Sequence, residues 1–152
     1  MKLALVAVHI KESTRAIPLG PAMLASALKK HLGNAIKTSI VNLYLHQSVD
    51  ECVNLILEER PEYVGLSMYM WNRGKLLAVA AELKRHDPGI VVFAGNPKAN
   101  TDMENIQRSQ SLDFIIKGEG EDLTVAFFKA LLEGRSIQET TACCGASALP
   151  DL

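Results

Sequence analysis

The chain has 152 residues, and its 16 Lys plus Arg against 17 Asp plus Glu leave a formal net charge of −1. That length suits one domain with a sizeable core, and the charge balance offers no global basic field for nucleic acid. A hydrophobic content of 48% excludes a disordered chain, and no apolar run reaches the ~20 residues of a membrane span.

The opening MKLALVAVHI is followed by Lys11, Glu12 and Arg15 without a small-residue cleavage site, so it reads as a buried strand rather than a signal peptide. LALVAVHI (3–10) is a continuous apolar run of strand length. PAMLASALKKHL (21–32) then repeats Leu24, Leu28 and Leu32 at helical spacing, with Pro21 suited to a first turn and Gly33 to a stop. KTSIVNLY (37–44) predicts strand two. Val49, Cys52, Val53, Ile56 and Leu57 mark the next helical stripe, with Asp50 and Glu51 near its start. Pro61 ends that helix, and YVGLSMY (63–69) predicts strand three.

Leu76, Val79, Ala80 and Leu83 form a further stripe, closed by Asp87-Pro88-Gly89. IVVFAG (90–95) predicts strand four, a weaker helix is expected around 102–109, and DFIIKG (113–118) predicts strand five. A last helix from about Glu121 turns Leu123, Phe127, Leu131 and Leu132 inward and stops at Gly134. The tail TTACCGASALPDL lacks periodicity and reads as linker or irregular extension. Cys52 lies on an apolar stripe and Cys143-Cys144 is a vicinal pair. That is a poor disulfide framework, and a reducing cytoplasm is the expected compartment.

Doubly apolar strands alternating with amphipathic helices predict a parallel sheet covered on both faces. Right-handed crossovers limit it to a three-layer doubly wound α/β domain, Rossmann-like or flavodoxin-like, with five strands in the order 2-1-3-4-5. Ligands of such sheets sit beyond the carboxyl ends of the strands, here loops 9–20, 68–74, 94–101 and 117–121. Those loops carry no G-x-x-x-x-G-K-[ST], and no G-x-G-x-x-G follows strand one. Ala7-Val8-His9 and Ser67-Met68-Tyr69 supply none of the carboxylates that a phosphoacceptor site needs. A flavin module is disfavoured as well, because no Ser/Thr-rich phosphate loop follows strand one.

What the loops do contain is glycine, small polar groups and an aromatic shelf. Gly95-Asn96-Pro97 and Gly118-Glu119-Gly120-Glu121 permit close backbone approach. Tyr69 and Trp71 offer flat rings, and Ser67 and Asn72 offer hydrogen bonds. The pattern suits a large, flat, mostly uncharged ligand with a long tail. Taken singly, each feature has a plainer account: a lone Trp usually packs, Met68 and Met70 are flexible filler, and Glu119 and Glu121 serve a helix dipole.

VGLSMYMWN (64–72), PGIVVFAGNP (88–97) and DFIIKGEGE (113–121), with RAIPLG (15–20) before the first helix, together resemble the N-terminal cobalamin-binding domain of B12-dependent radical SAM proteins. The resemblance covers roughly residues 1–135 and implies a cobalamin site. Ser67, Tyr69, Trp71 and Asn72 would lie at or beside the corrin. Gly95, Asn96 and Pro97 would replace a Gly-Gly-Pro turn, and Gly118, Glu119, Gly120 and Glu121 would lie near the ring or nucleotide tail. Ser13, Arg15 and Leu19 would line the loop after strand one.

Two departures shape the expectation. The D-x-H-x-x-G signature is absent, with Ala7 and Glu12 around His9, so His9 reads as a polar strand end rather than a cobalt ligand, and no metal ligand is assigned. The C-x-x-x-C-x-x-C thiolates of a radical SAM cluster are also missing. The resemblance therefore implies a non-catalytic module at 1–135 and a linker at 136–152. The partner would be a C-terminal radical SAM domain of the same parent chain, of methyltransferase or oxidative cyclase type. The [4Fe-4S] cluster and S-adenosylmethionine would belong to that absent domain. A degenerate α/β interaction module without cofactor is the alternative.

Overall fold

Strand β1 (Lys2–His9) is buried from Leu3 through Val8, on both of its faces. A strand with no polar side must be covered twice, and the rest of the chain provides that cover. The computed structural model describes residues 1–13, 16–95, 111–116, 118–143 and 146–148. The helix expected around 102–109 lies outside them. Strands β2 (Lys37–Tyr44), β3 (Tyr63–Ser67), β4 (Val91–Gly95) and β5 (Phe114–Ile116) join β1 in a parallel sheet of order β2-β1-β3-β4-β5. This is the expected doubly wound order. A short strand β6 (Ala146–Ala148) adds to the edge antiparallel to β5.

Helices α1 (Leu19–Leu32) and α4 (Gly120–Leu132) cover one face of the sheet, and α2 (Val49–Glu58) and α3 (Arg73–His86) cover the other. The pleat sorts the side chains. Leu3, Leu5, Phe93 and Phe114 meet Leu28, Phe127 and Phe128 on the α1/α4 side. Val6, Val64, Leu66 and Val92 meet Cys52, Ile56, Leu76 and Leu83 on the other. Phe93 and Phe114 stack with centroids 5.0 Å apart, and Phe127 closes on Phe114 at 4.4 Å.

Several local expectations need correction. On α4 the buried positions are Thr124, Phe127, Phe128 and Ala130, whereas Leu132 is exposed. The tail is not irregular throughout. Helix α5 (Ile137–Cys143) forms there, started by Ser136, whose Oγ accepts from the Glu139 N–H at 3.2 Å while Glu139 accepts from the Ser136 N–H at 2.9 Å. Ser48 and Glu51 start α2 in the same reciprocal way. The hydrogen bonds from Ser48 hold the Glu51 carboxyl below its ordinary range. Its contribution is therefore complete above the ordinary carboxylate pKa and fades as pH falls through the lowered value.

Asp113 holds the pole of the sheet farthest from the carboxyl ends. Its carboxylate accepts from the Val92 N–H at 2.6 Å and lies 2.6 Å from Lys84 Nζ, which also donates to the Ile90 carbonyl at 2.7 Å. One carboxylate thus ties α3, β4 and β5 together. Asp113→Ala leaves a strand N–H without its acceptor and a partly buried ammonium with only the Ile90 carbonyl. We expect a loss of about 2–3 kcal/mol in chemical denaturation, with ligand binding at the opposite pole altered only through stability.

Candidate functional site

A cleft of about 480 Å³ opens where the carboxyl ends of β3, β4 and β5 meet the first turns of α1 and α4, and it continues inward as a slot. Leu5, Gly65, Phe93 and Ile116 form the sheet side of the slot. Pro21 and Leu24 wall it from α1, and Gly120 and Thr124 wall it from α4. Ser67, Tyr69, Gly95, Gly118, Glu119 and Glu121 also line the cavity.

The floor of the slot is packed around one strand residue that lacks a side chain. Leu5, Gly65 and Phe93 are neighbours in register across β1, β3 and β4. A Cβ on Gly65 would lie 2.8 Å from Phe93 Cζ and 3.0 Å from Leu5 Cδ2, inside any normal contact. Glycine within a strand weakens it and marks a close approach. Here it lets the Phe93 ring and Leu5 close in over the strand. Gly118 has a different role: its φ of +101° is a conformation that side chains rarely adopt, and it turns the chain from β5 into α4.

The loop after β3 is braced from beneath. Asn72 is 1% exposed; its Oδ1 accepts from the Tyr69 N–H at 2.7 Å and its Nδ2 donates to the Ser67 carbonyl at 3.1 Å. Both ends of the amide are thereby committed to the loop backbone. Its geometry makes it a support for the loop, not a group directed at a ligand. Tyr69 (46% exposed) and Trp71 (50% exposed) stack on each other above this brace, with ring planes 10° apart and centroids 6.2 Å apart. Exposed apolar residues of the same end include Ile10, Ile17, Leu19, Met23 and Met70.

Of the residues singled out in the sequence, Ser67, Tyr69, Gly95, Gly118, Glu119, Gly120 and Glu121 come together around one cavity. Leu19 is exposed at the start of α1, next to the lining residue Gly20. Ser13 is exposed in the β1–α1 loop, and its carbonyl accepts from the Ala16 N–H at 3.1 Å. Arg15, Asn96 and Pro97 lie outside the described residues. His9 is turned toward β2, with Nε2 2.9 Å from Asn42 Oδ1 and its ring against Tyr44. No group of three or more His, Cys, Asp or Glu is arranged to hold a metal ion among the described residues.

Sequence reasoning missed the depth of the slot and the group at its wall. Thr124 is 1% exposed, and its hydroxyl has no hydrogen-bond partner among the described residues. Leaving such a group unpaired costs about 1–3 kcal/mol, and a helical threonine usually returns its hydroxyl to the preceding turn. Two signals were present: a glycine inside the strand run YVGLS, and a threonine on the buried face of α4.

Among known proteins, the model of the B12 binding domain matches residues 6–128. A 2-(S-pantetheinyl)-carbapenam-3-carboxylate methyltransferase from Streptantibioticus cattleyicolor is 34% identical over 74 residues, which are 48% of this chain and 10% of that protein. The cobalamin-dependent S-adenosylmethionine radical enzyme OxsB, solved with aqua-cobalamin and S-adenosylmethionine bound, superposes with a TM-score of 0.73 at 19% identity. That superposition covers 99% of this chain and 21% of OxsB. The radical S-adenosylmethionine methyltransferase TsrM from Kitasatospora setae gives a TM-score of 0.63 at 21% identity, over 88% of this chain and 26% of TsrM. The chain spans about a tenth to a quarter of the length of these proteins.

Proposed function

The chain belongs to the B12-binding domain family, and we propose on that premise that it carries cobalamin in the cleft above β3, β4 and β5. The corrin would rest on the rim formed by Ser67, Tyr69, Gly95 and Gly118 to Glu121, with the Tyr69–Trp71 stack beside it. Ser13, Arg15, Leu19, Asn96 and Pro97 would border the ring from the neighbouring loops. A macrocycle is too broad to pass between α1 and α4, so the nucleotide tail is the part of the cofactor that suits the slot.

The residues present fit this group. The slot walls are apolar at Leu5, Leu24, Phe93 and Ile116, and the rim offers small residues at Ser67, Gly95, Gly118 and Gly120 that let a large ring approach the backbone. The open slot carries the reading. A protein-interaction module without cofactor would not need an apolar cleft of this size beyond the strand ends. Cobalamin when bound supplies cobalt-centred methyl-transfer or redox chemistry. The chain's own residues would orient the ring, hold the tail and leave the outer face of the corrin accessible.

The proposed setting is a longer radical SAM enzyme, methyltransferase or cyclase in type. Its further domain would supply the [4Fe-4S] cluster and S-adenosylmethionine and close over the apolar rim. The modest share of each relative that the chain spans supports this setting, as do the exposed Ile17, Leu19 and Met70 (78% exposed) at the rim.

Trp71 is the chain's one tryptophan, so its fluorescence is a local probe. Titration with hydroxocobalamin should give a saturable visible-absorbance change and matching quenching of Trp71. Trp71→Ala should weaken binding by roughly tenfold, or about 1.4 kcal/mol, while shifting stability by no more than about 0.5 kcal/mol. Absence of any saturable response in the folded chain would refute the reading.

A further inference from the structure

We infer that Glu119 and Glu121 make the rim selective for a corrin whose side chains are carboxamides, and against one that carries carboxylates. The inference rests on the cobalamin reading above and deepens it by naming the chemistry read at the edge of the ring. The cleft defines the site; the two glutamates decide what its mouth accepts. Both line the cleft, and no Lys, Arg or His lines it among the described residues. Glu119 is exposed and Glu121 half-buried, and neither carboxylate has a hydrogen-bond or ion-pair partner among those residues.

Helix capping does not account for them. Glu51 and Glu139 turn back to the Ser48 and Ser136 N–H groups at the starts of α2 and α5. At the start of α4, Glu119 occupies the cap position without a side-chain cap hydrogen bond. A carboxylate near a helix start is stabilised by the dipole, yet its oxygens stay free to accept. The Gly120 and Glu121 N–H groups lie in the same first turn and have no acceptor among the described residues. A primary amide carries both a donor and an acceptor, so it can donate to a glutamate and accept from a helix N–H together. A carboxylate offers acceptors only, and the two like charges at this edge oppose it.

The test titrates the chain and a Glu119→Gln/Glu121→Gln double variant with cobinamide and with cobyrinic acid, the same macrocycle with its side-chain amides as carboxylates. Both ligands lack the nucleotide tail, so the comparison reads the ring edge alone. The unsubstituted chain should bind cobyrinic acid more than about tenfold more weakly than cobinamide. Raising the salt from about 0.05 to 0.5 M should narrow that gap. The double variant should narrow it by at least about fivefold, chiefly by binding the acid more tightly. Glutamates that serve only the fold would instead weaken both ligands alike and lower the Tm when replaced. Equal affinities in the unsubstituted chain, or a gap that the double variant leaves in place, overturns the assignment while leaving the cobalamin reading standing. So does a chain that binds hydroxocobalamin but not cobinamide, because the ring edge then contributes too little. Failure to bind hydroxocobalamin removes both.

Discussion

Gly65→Val should leave a folded chain that no longer accepts the cofactor's tail. The new side chain begins with a Cβ 2.8 Å from Phe93 Cζ and 3.0 Å from Leu5 Cδ2, so one of those neighbours must move. Phe93 is held on its other sides by Phe114 at 5.0 Å and Phe128 at 6.3 Å. The slot is the open direction, and the ring or the valine methyls will occupy it. Overpacking of this kind costs about 1–3 kcal/mol. For a domain of this size, that lowers Tm by roughly 2–12 °C. Binding should suffer more than stability, because the ligand must expel the displaced side chain as well as enter. We expect more than a tenfold loss of cobalamin affinity in calorimetry, with cobinamide, which has no base to insert, far less affected. Equal losses for both ligands would mean that the slot does not hold the tail.

Asn72→Ala should unseat the aromatic stack. Its amide serves two backbone groups, the Tyr69 N–H and the Ser67 carbonyl, at a position that is 1% exposed. Alanine leaves both groups without their partner. At about 1–3 kcal/mol for each such group, the loss should exceed that of any substitution on the exposed rim, Trp71→Ala included. Asn72→Asp would keep an acceptor for the Tyr69 N–H but turn a carboxylate toward the Ser67 carbonyl, so it should recover little. Denaturation would give the stability loss. A red-shifted Trp71 emission in the native state would report the loosened loop. Unchanged emission and stability would assign the amide no structural role.

The fold was legible because its signals are redundant. Strands apolar on both sides, such as LALVAVHI, and stripes such as Cys52, Val53 and Ile56 repeat the same message from one end of the chain to the other. The rim was legible because glycine, serine and aromatic residues in loops have few structural uses, and seven of the chosen residues line one cavity.

The slot was not legible, since it is a property of three strands in register. Gly65 is needed only because Leu5 and Phe93 stand beside it, and no local pattern states that pairing. The bracing role of Asn72 was not legible for a related reason. An asparagine at a strand end can point outward to a ligand or back to its own loop, and hydrogen-bond geometry decides between the two. The tail carried a readable cue in Ser136-Ile137-Gln138-Glu139, a capping-box spacing, but without a hydrophobic period after it the helix was overlooked.

Cobalt anomalous scattering from crystals of the chain grown with hydroxocobalamin tests the central claim most directly. A single cobalt peak should lie beyond Ser67 and Gly95 at the carboxyl ends of β3 and β4, with the tail continuing inward between the sheet and helices α1 and α4. A well-occupied peak on any other face, or a corrinoid on the rim with the slot left empty of its tail, would contradict the account.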